Sequence, residues 1–415
     1  MANETYADVM VQADDLADRT IDFRRRLHLR PELGLQLPIT QEAIQAELAD
    51  LGLDVRTGTS TTSVVAVLEG CSDGPTMLLR GDMDALPLTE NTGLGFASEI
   101  DGVMHACGHD THVAMLAGAA RLLTDRRAEI AGRVVFMFQP GEEGFHGARY
   151  MLEEGLLDTT GQRPAGAFAL HTTSTFASGT INTRPGPLLA SADTIRMTLQ
   201  GRGGHASAPH YANDPIPVAC EIVIALQTMV TRRIDIFDPA VVTIAHLTAG
   251  TTDNVIPASA ELEGTIRALS PEARTRVHDL VRQVAQGIAS AHGMQVDVEI
   301  EPGYPVTVND SDFATSVHAI AGQLLGVDRA SIMQTPIMGA EDWSYVLQEV
   351  PGAMAFLGAC PPDLEPDTAP GNHSNLVVFD EAALATGVAT YAAVALDTLS
   401  HSRAANAQGN DSLAR

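Results

Sequence analysis

The run VVFMFQPGEEGFHGARYMLEEGLL carries an apolar stretch directly into two adjacent carboxylates, Glu142 and Glu143, behind a Pro-Gly pair. Side by side at the mouth of a buried strand, two carboxylates repel each other unless something positive lies between or above them. Comparable residues follow other apolar runs: Asp82 and Asp84 in LLRGDMDALP, and His171 in FALHT. The segment MHACGHDTH packs His105, Cys107, His109, Asp110 and His112 into eight residues, and His373 stands in GNHSN near the end of the chain. A thiolate and an imidazole two residues apart, such as Cys107 and His109, can converge on one cation. Asp82 and Asp84, two apart at a strand end, face the same side. One or two divalent cations would resolve the repulsion at Glu142 and Glu143. One carboxylate would then be a ligand, and its neighbour a base toward water whose pKa a cation lowers to roughly 7 in favourable sites.

Taken singly, each of these residues has an ordinary reading. A histidine after a strand is more often a hydrogen-bonding residue than a ligand, the His-rich segment can be a loop without metal, and Asp82 and Asp84 can cap a turn before Pro87. Together they place ligand types at several strand ends, where sites in α/β sheets are built.

The elements that must position them follow from periodicity. Up to about residue 188, TSVVAVLEG, TMLLRGDMD, RVVFMFQP and GAFALHT read as strands separated by helical patterns such as VAMLAGAARLLTDRR, which is an α/β layer pattern. Pro and Gly then cluster, and a strand follows in which Ile195, Met197 and Leu199 alternate with polar residues. From there to about residue 300 the order is βαββαβ, the split-βαβ pattern, with a helix opened by Ser270-Pro271. The expected fold class is α/β with two domains, an α/β domain with a central mixed sheet interrupted by a ferredoxin-like βαββαβ insert, which the family resemblance set out below implies to be a catalytic domain and its lid domain. Its expected boundaries are 1–188 and 303–400 for the catalytic domain, 189–302 for the insert, and 401–415 for a disordered tail. If the insert is the closing lid that this resemblance implies, its hinges are expected near Pro185 to Ala190 and Pro302 to Pro305.

At 415 residues the chain is long enough for two cores. Its formal net charge of -27 repels polyanions, which argues against nucleic acid and anionic membranes as partners. Cys71, Cys107, Cys220 and Cys360 lack a disulfide-framework spacing. No secretory signal pattern is visible at the N-terminus and no run of about 18 apolar residues stands out, so the expected location is cytoplasmic.

The motifs RRRLHLRPELG, LLRGDMDALPLTE, MHACGHDTHVAMLAGAA, FQPGEEG, ALHT, GRGGHASAPH, NVIPASAELEGTIRAL, MGAEDWSYV and GNHSN, in this order, resemble the metal-dependent amidohydrolase branch of the aminoacylase and carboxypeptidase clan. That branch includes hippurate hydrolase, N-acyl-L-amino acid amidohydrolases and hydrolases of indoleacetic acid conjugates. The resemblance runs from about residue 15 to 400. It implies a two-metal site with Cys107, His109, Glu143, His171 and His373 as ligands, Glu142 as general base and Asp84 as support for the metal cluster. It further implies that His205 steadies the oxyanion and that Asn254, Arg267 and Gly339 lie on the substrate side. Arg267 offers a planar fork suited to a carboxylate, although a strand-end surface arginine is the plain alternative. His105 and His112 are expected to be structural.

The activity so implied is hydrolysis of N-acyl amino acids, with a dipeptidase or carbamoyl-amino acid hydrolase as the alternative. Two divalent cations are implied, zinc first because of the soft thiolate, with manganese or cobalt able to take the oxygen and nitrogen positions. A homodimer through the inserted domain is expected. The sequence departs from the family pattern at Asn375 and Val377, where relatives usually carry Pro and an aromatic residue, and in TTSTFASG after His171. These departures concern the acyl side of the substrate.

Overall fold

The computed structural model describes residues 2–412 and divides into two compact units. The first comprises Met1–Gly186, Val308–Thr335 and Tyr345–Arg415, and the second Pro187–Thr307 and Pro336–Ser344.

The first unit is built on an eight-stranded mixed sheet. In spatial order its strands are Asp54–Thr57, Val64–Glu69, Ala131–Gln139, Ser72–Asp82, Gly166–Thr173, Gly352–Gly358, Ile181–Thr183 and Ala330–Ile332. The four central strands, Ala131–Gln139 through Gly352–Gly358, run parallel, and the two at the first edge are antiparallel. Central parallel strands are covered on both faces, so they read as continuous apolar runs. Val134, Val135, Phe136, Met137 and Phe138 are accordingly all buried. The covering helices include His109–Asp125 and the C-terminal Ala383–Ser412, whose apolar residues share one core with the sheet. Because three neighbouring strands point the same way, their carboxyl ends at Gln139, Asp82 and Thr173 lie along one edge of the sheet. Asp82, Asp84, Glu142, Glu143 and His171 all belong to these ends or the turns just beyond them. The expected tail over 401–415 falls on helical backbone as far as Ser412, and residues 413–415 lie outside the described residues.

The second unit is a four-stranded antiparallel sheet in the order Ala240–Ala249, Ser259–Ala268, Asp193–Gln200, Gln295–Pro302, with helices Pro215–Arg233 and Pro271–Ala291 packed on it. Ile195, Met197 and Leu199 are buried in its own core. Both helices start on a side-chain cap followed by Pro: Ile216 N–H donates to Asp214 and Ala273 N–H donates to Ser270 Oγ at 2.9 Å.

The sequence reading left residues 336–344 in the catalytic domain, whereas they group with the second unit. Ile337 N–H donates to Leu188 O, and Ala190 N–H to Gly339 O at 2.8 Å, so the chain returns to the backbone of 188–190. Such a pairing has no periodic signature. Two helices, Pro215–Arg233 and Ala383–Ser400, are long and apolar enough to cross a bilayer by length and composition, so the expectation that no segment reaches that length needs correction. The second is mostly buried in its unit, and the first turns Val218, Ala219, Ile222, Leu226 and Met229 into the core of the four-stranded unit.

Candidate metal centre

The turn after the strand Ala131–Gln139 is shaped by glycine. Gly141 and Gly144 have positive φ, of 72° and 86°, and Gly147 N–H donates to Gly141 O at 3.0 Å. A Cβ on Gly147 would lie 1.6 Å from Pro140 O, so no other residue fits there. This tight turn projects Glu142 and Glu143 from the sheet edge. Their backbone N–H groups donate to Asp84 Oδ1 and Oδ2, each at 2.9 Å. Asp84 is buried and so acts through the turn that carries the two glutamates.

Gly108, in left-handed conformation, starts the helix His109–Asp125, and Thr111 Oγ1 donates back to Gly108 O. This start places Cys107 and His109 at the sheet edge. His109 Nδ1–H donates to Asp84 O at 2.8 Å, which leaves Nε2 facing the other ligand-type residues. Nε2 lies 3.2 Å from Asp82 and 4.0 Å from both Glu142 and Glu143. Cys107 Sγ lies 3.5 Å from His171 Nε2, and His171 Nδ1–H donates to Thr172 O. His373 Nε2 lies 3.2 Å from Glu143 Oε1.

Charges around these groups are strongly coupled. Burial alone would lower the His109 pKa, but Asp82 and Cys107 outweigh it and hold the imidazole well above its ordinary value. Contacts with Cys107 and then Glu143 raise His373 to about 10. His171 is driven the other way, first by burial and then by His112, which keeps it neutral and able to act as a ligand. Burial would raise Asp82, yet Arg80, His109 and His112 hold it well below the carboxylate range.

Among the described residues five groups have ligand atoms all within 4.8 Å of one another, and three of them are Cys107 with His109 and His171, Cys107 with Glu143 and His373, and His109 with Glu142 and Glu143. The first two share Cys107. A shared thiolate with two further donors on each side is the donor set of a pair of cations, and sulfur with imidazole suits zinc-type ions. His109 Nε2 and Glu143 Oε1 are buried and make no well-aligned hydrogen bond, each lying 3.2 Å from an ionisable neighbour, Asp82 and His373 respectively. The residues present therefore fit a divalent metal.

Two other sequence candidates, His112 and Asp110, are committed elsewhere. His112 Nε2 accepts the Thr172 N–H at 2.7 Å, so its proton sits on Nδ1 and is donated to Asp82 Oδ1 at 2.5 Å. Neither nitrogen is left for a metal. Asp110 turns away to Arg24 and His28, at 2.7 and 2.8 Å. His105 is buried, and burial pushes its pKa down to about 3.

The four remaining predicted residues belong to the second unit. His205 pairs with Val255 across a short strand pair, and Ala206 N–H donates to Asn254 O, so His205 and Asn254 are neighbours. Ser207 N–H donates to His205 Nδ1 at 3.1 Å, which places the proton of the neutral ring on Nε2. Arg267 sits half-buried on the strand Ser259–Ala268, where burial lowers its pKa against the pull of Asp193. Gly339 is held by its bond to Ala190.

Sequence reasoning missed Asn372. Its side-chain nitrogen donates to Cys107 O at 3.0 Å and to Thr172 O at 2.9 Å. The only signal for it was its place before His373.

Residues 78–397 match the model of peptidase family M20/M25/M40. The chain is 38% identical to thermostable carboxypeptidase 1 of Saccharolobus solfataricus over 92% of its own length and 96% of the relative's. It is 40% identical to the N-acetylcysteine deacetylase of Bacillus subtilis, over 82% of this chain and 88% of that one. Among solved structures, the Bacillus subtilis YXEP protein, described as a dinuclear metal binding peptidase from M20 family, superposes with a TM-score of 0.81 at 35% identity, covering 93% of this chain and 99% of the other.

Proposed function

The chain belongs to peptidase family M20/M25/M40 and is a hydrolase, and on that premise we propose that it hydrolyses the amide bond of N-acyl amino acids with Glu142 as general base. The observation that carries the reading is the sharing of Cys107 by two ligand trios beside a glutamate pair whose backbone is fixed by Asp84. The residues that would hold the cations are Cys107, His109, Glu143, His171 and His373.

Divalent cations held there, zinc foremost, would supply Lewis acidity toward the amide carbonyl and an acidified water. Glu142 takes the proton of the attacking water and returns it to the departing amine. Asp84 keeps that carboxylate in register by gripping the Glu142 N–H. His205, with its proton on Nε2, is suited to donate to the oxyanion, a contribution typically of about 3 to 4 kcal/mol. Arg267 and Asn254 receive the amino-acid carboxylate, Arg267 through its planar fork, and Gly339 lines the substrate side. The second unit acts as a lid and as the dimer contact. Its strand Ala240–Ala249 is an edge of the sheet.

A second reading, cleavage of peptides, is favoured by the similarity to a carboxypeptidase. The test is amine release from acetyl, benzoyl, indoleacetyl and long-chain acyl amino acids and from dipeptides, with chelator-stripped enzyme and enzyme reloaded with zinc, manganese or cobalt. Metal-dependent release from an acyl amino acid supports the proposal. Activity confined to dipeptides would replace it with the second reading.

A further inference from the structure

Resting on the metal-centre reading above, we infer that Asn372 is a positioning residue of that centre, its side-chain amide binding together the chain segments that carry Cys107, His171 and His373. The three segments are far apart in sequence, and each contributes a ligand. Asn372 Nδ2 has two hydrogens and two acceptors, Cys107 O at 3.0 Å and Thr172 O at 2.9 Å, the carbonyl of the residue that follows His171. Both partners can only accept, so the nitrogen must face them. Oδ1 is then turned to a buried position without a hydrogen-bond partner. An orphaned buried acceptor is unfavourable. Its orientation is therefore imposed by the two carbonyls.

Two further contacts tie the same place. Nδ2 lies 4.0 Å from Cys107 Sγ, which puts the positive end of the amide dipole beside the sulfur that both trios share. The next residue, His373, has a φ of 69°, the left-handed region that a residue with a side chain enters at a cost, and its N–H donates to Ala106 O at 2.9 Å. The amide of Asn372 and the N–H of His373 together hold the last ligand segment against residues 106 and 107. The same Thr172 carbonyl accepts His171 Nδ1–H at 2.9 Å. Removing Asn372 therefore loosens the orientation of His171 and of His373 at once, with Cys107 between them. Partners that orient ligands in this way typically change metal affinity by about 10- to 100-fold when lost.

The experiment uses the full chain with Asn372→Ala and Asn372→Ser, and with Asn375→Ala as a control in the same loop. Zinc affinity is measured by chelator competition, the visible absorption is recorded with cobalt, and the melting temperature is measured on the metal-free protein. Asn372→Ala is expected to weaken at least one zinc by about 10- to 100-fold and to shift the cobalt bands. Its metal-free melting temperature should stay close to wild type, and Asn375→Ala should match wild type throughout. Wild-type affinity and cobalt spectrum in Asn372→Ala would overturn the inference, and so would a lowered metal-free melting temperature without either change. If Asn372→Ala does not fold, Asn372→Ser, which can reach at most one carbonyl, decides by the same criteria. A wild-type chain that binds no zinc would instead sink the metal-centre reading, and this inference with it.

Discussion

The Glu142 N–H donates to Asp84 Oδ1 at 2.9 Å, while the other oxygen of the same carboxylate takes the N–H of the next residue. One buried aspartate thus sets the position of the proposed base and of the proposed ligand beside it. Asp84→Asn keeps one acceptor and turns an NH2 group against the second N–H. A hydrogen bond to a charged group contributes about 1.5 to 3 kcal/mol. We expect kcat to fall about 10- to 100-fold with a smaller change in KM, at near-normal metal content. Steady-state kinetics with metal analysis of the same sample checks this, and an unchanged kcat would contradict it.

The turn between the sheet and the two glutamates makes a paired prediction. Gly147→Ala drives a methyl group to within 1.6 Å of Pro140 O and leaves no room for relaxation without moving the turn. Gly144→Ala meets nothing within 4 Å and bears only the strain of φ at 86°. That strain is about 1 to 2 kcal/mol. Gly147→Ala should therefore unfold at clearly lower denaturant than Gly144→Ala, and equal midpoints would refute the steric account.

Behind the centre, His28 bridges two carboxylates, with Nδ1 at 2.8 Å from Asp110 and Nε2 at 3.2 Å from Glu90. Burial would raise Glu90, but hydrogen bonds led by His28 lower it to about 2 from 4.5. A depressed carboxylate stabilises fully above its unfolded value, and that stability is lost as pH falls from 4.5 through about 2. Burial would lower His28, but Asp110 and Glu90 raise it above 6.5. Its contribution is complete below 6.5 and disappears as pH rises through the raised value. The melting temperature of wild type relative to His28→Gln should therefore show its largest advantage between about pH 4.5 and 6.5. An advantage that grows steadily toward alkaline pH would contradict this assignment.

How much of this was readable beforehand depends on the range of the interaction. The apolar run ending at Gln139 announced a central strand because both its faces are buried. Glu142, Glu143 and His171 stood out because they follow such runs, and Cys107 and His109 because they crowd one short His-rich segment. What decides between His109 and His112, three residues apart on one helix, is contact with distant residues: Asp84 O turns His109 outward, while Asp82 and Thr172 consume both nitrogens of His112. Asp110 is likewise claimed by Arg24 and His28 from another helix. The attachment of 336–344 to the second unit rests on irregular backbone bonds, which have no sequence period. Asn372 was passed over because an amide beside a histidine carries no pattern until its two carbonyl partners are known.

The most direct test of the account is a comparison of metal content and turnover in wild type and Glu142→Gln. Glu142 is proposed as the base and not as one of the ligands that share Cys107, so the variant should bind as much zinc as wild type. Loss of a general base typically costs about 10²- to 10⁴-fold in rate. Full zinc with turnover reduced to that extent is the predicted result. Full zinc with turnover near wild type would contradict the role of Glu142, and so would a loss of activity that merely tracks a loss of zinc.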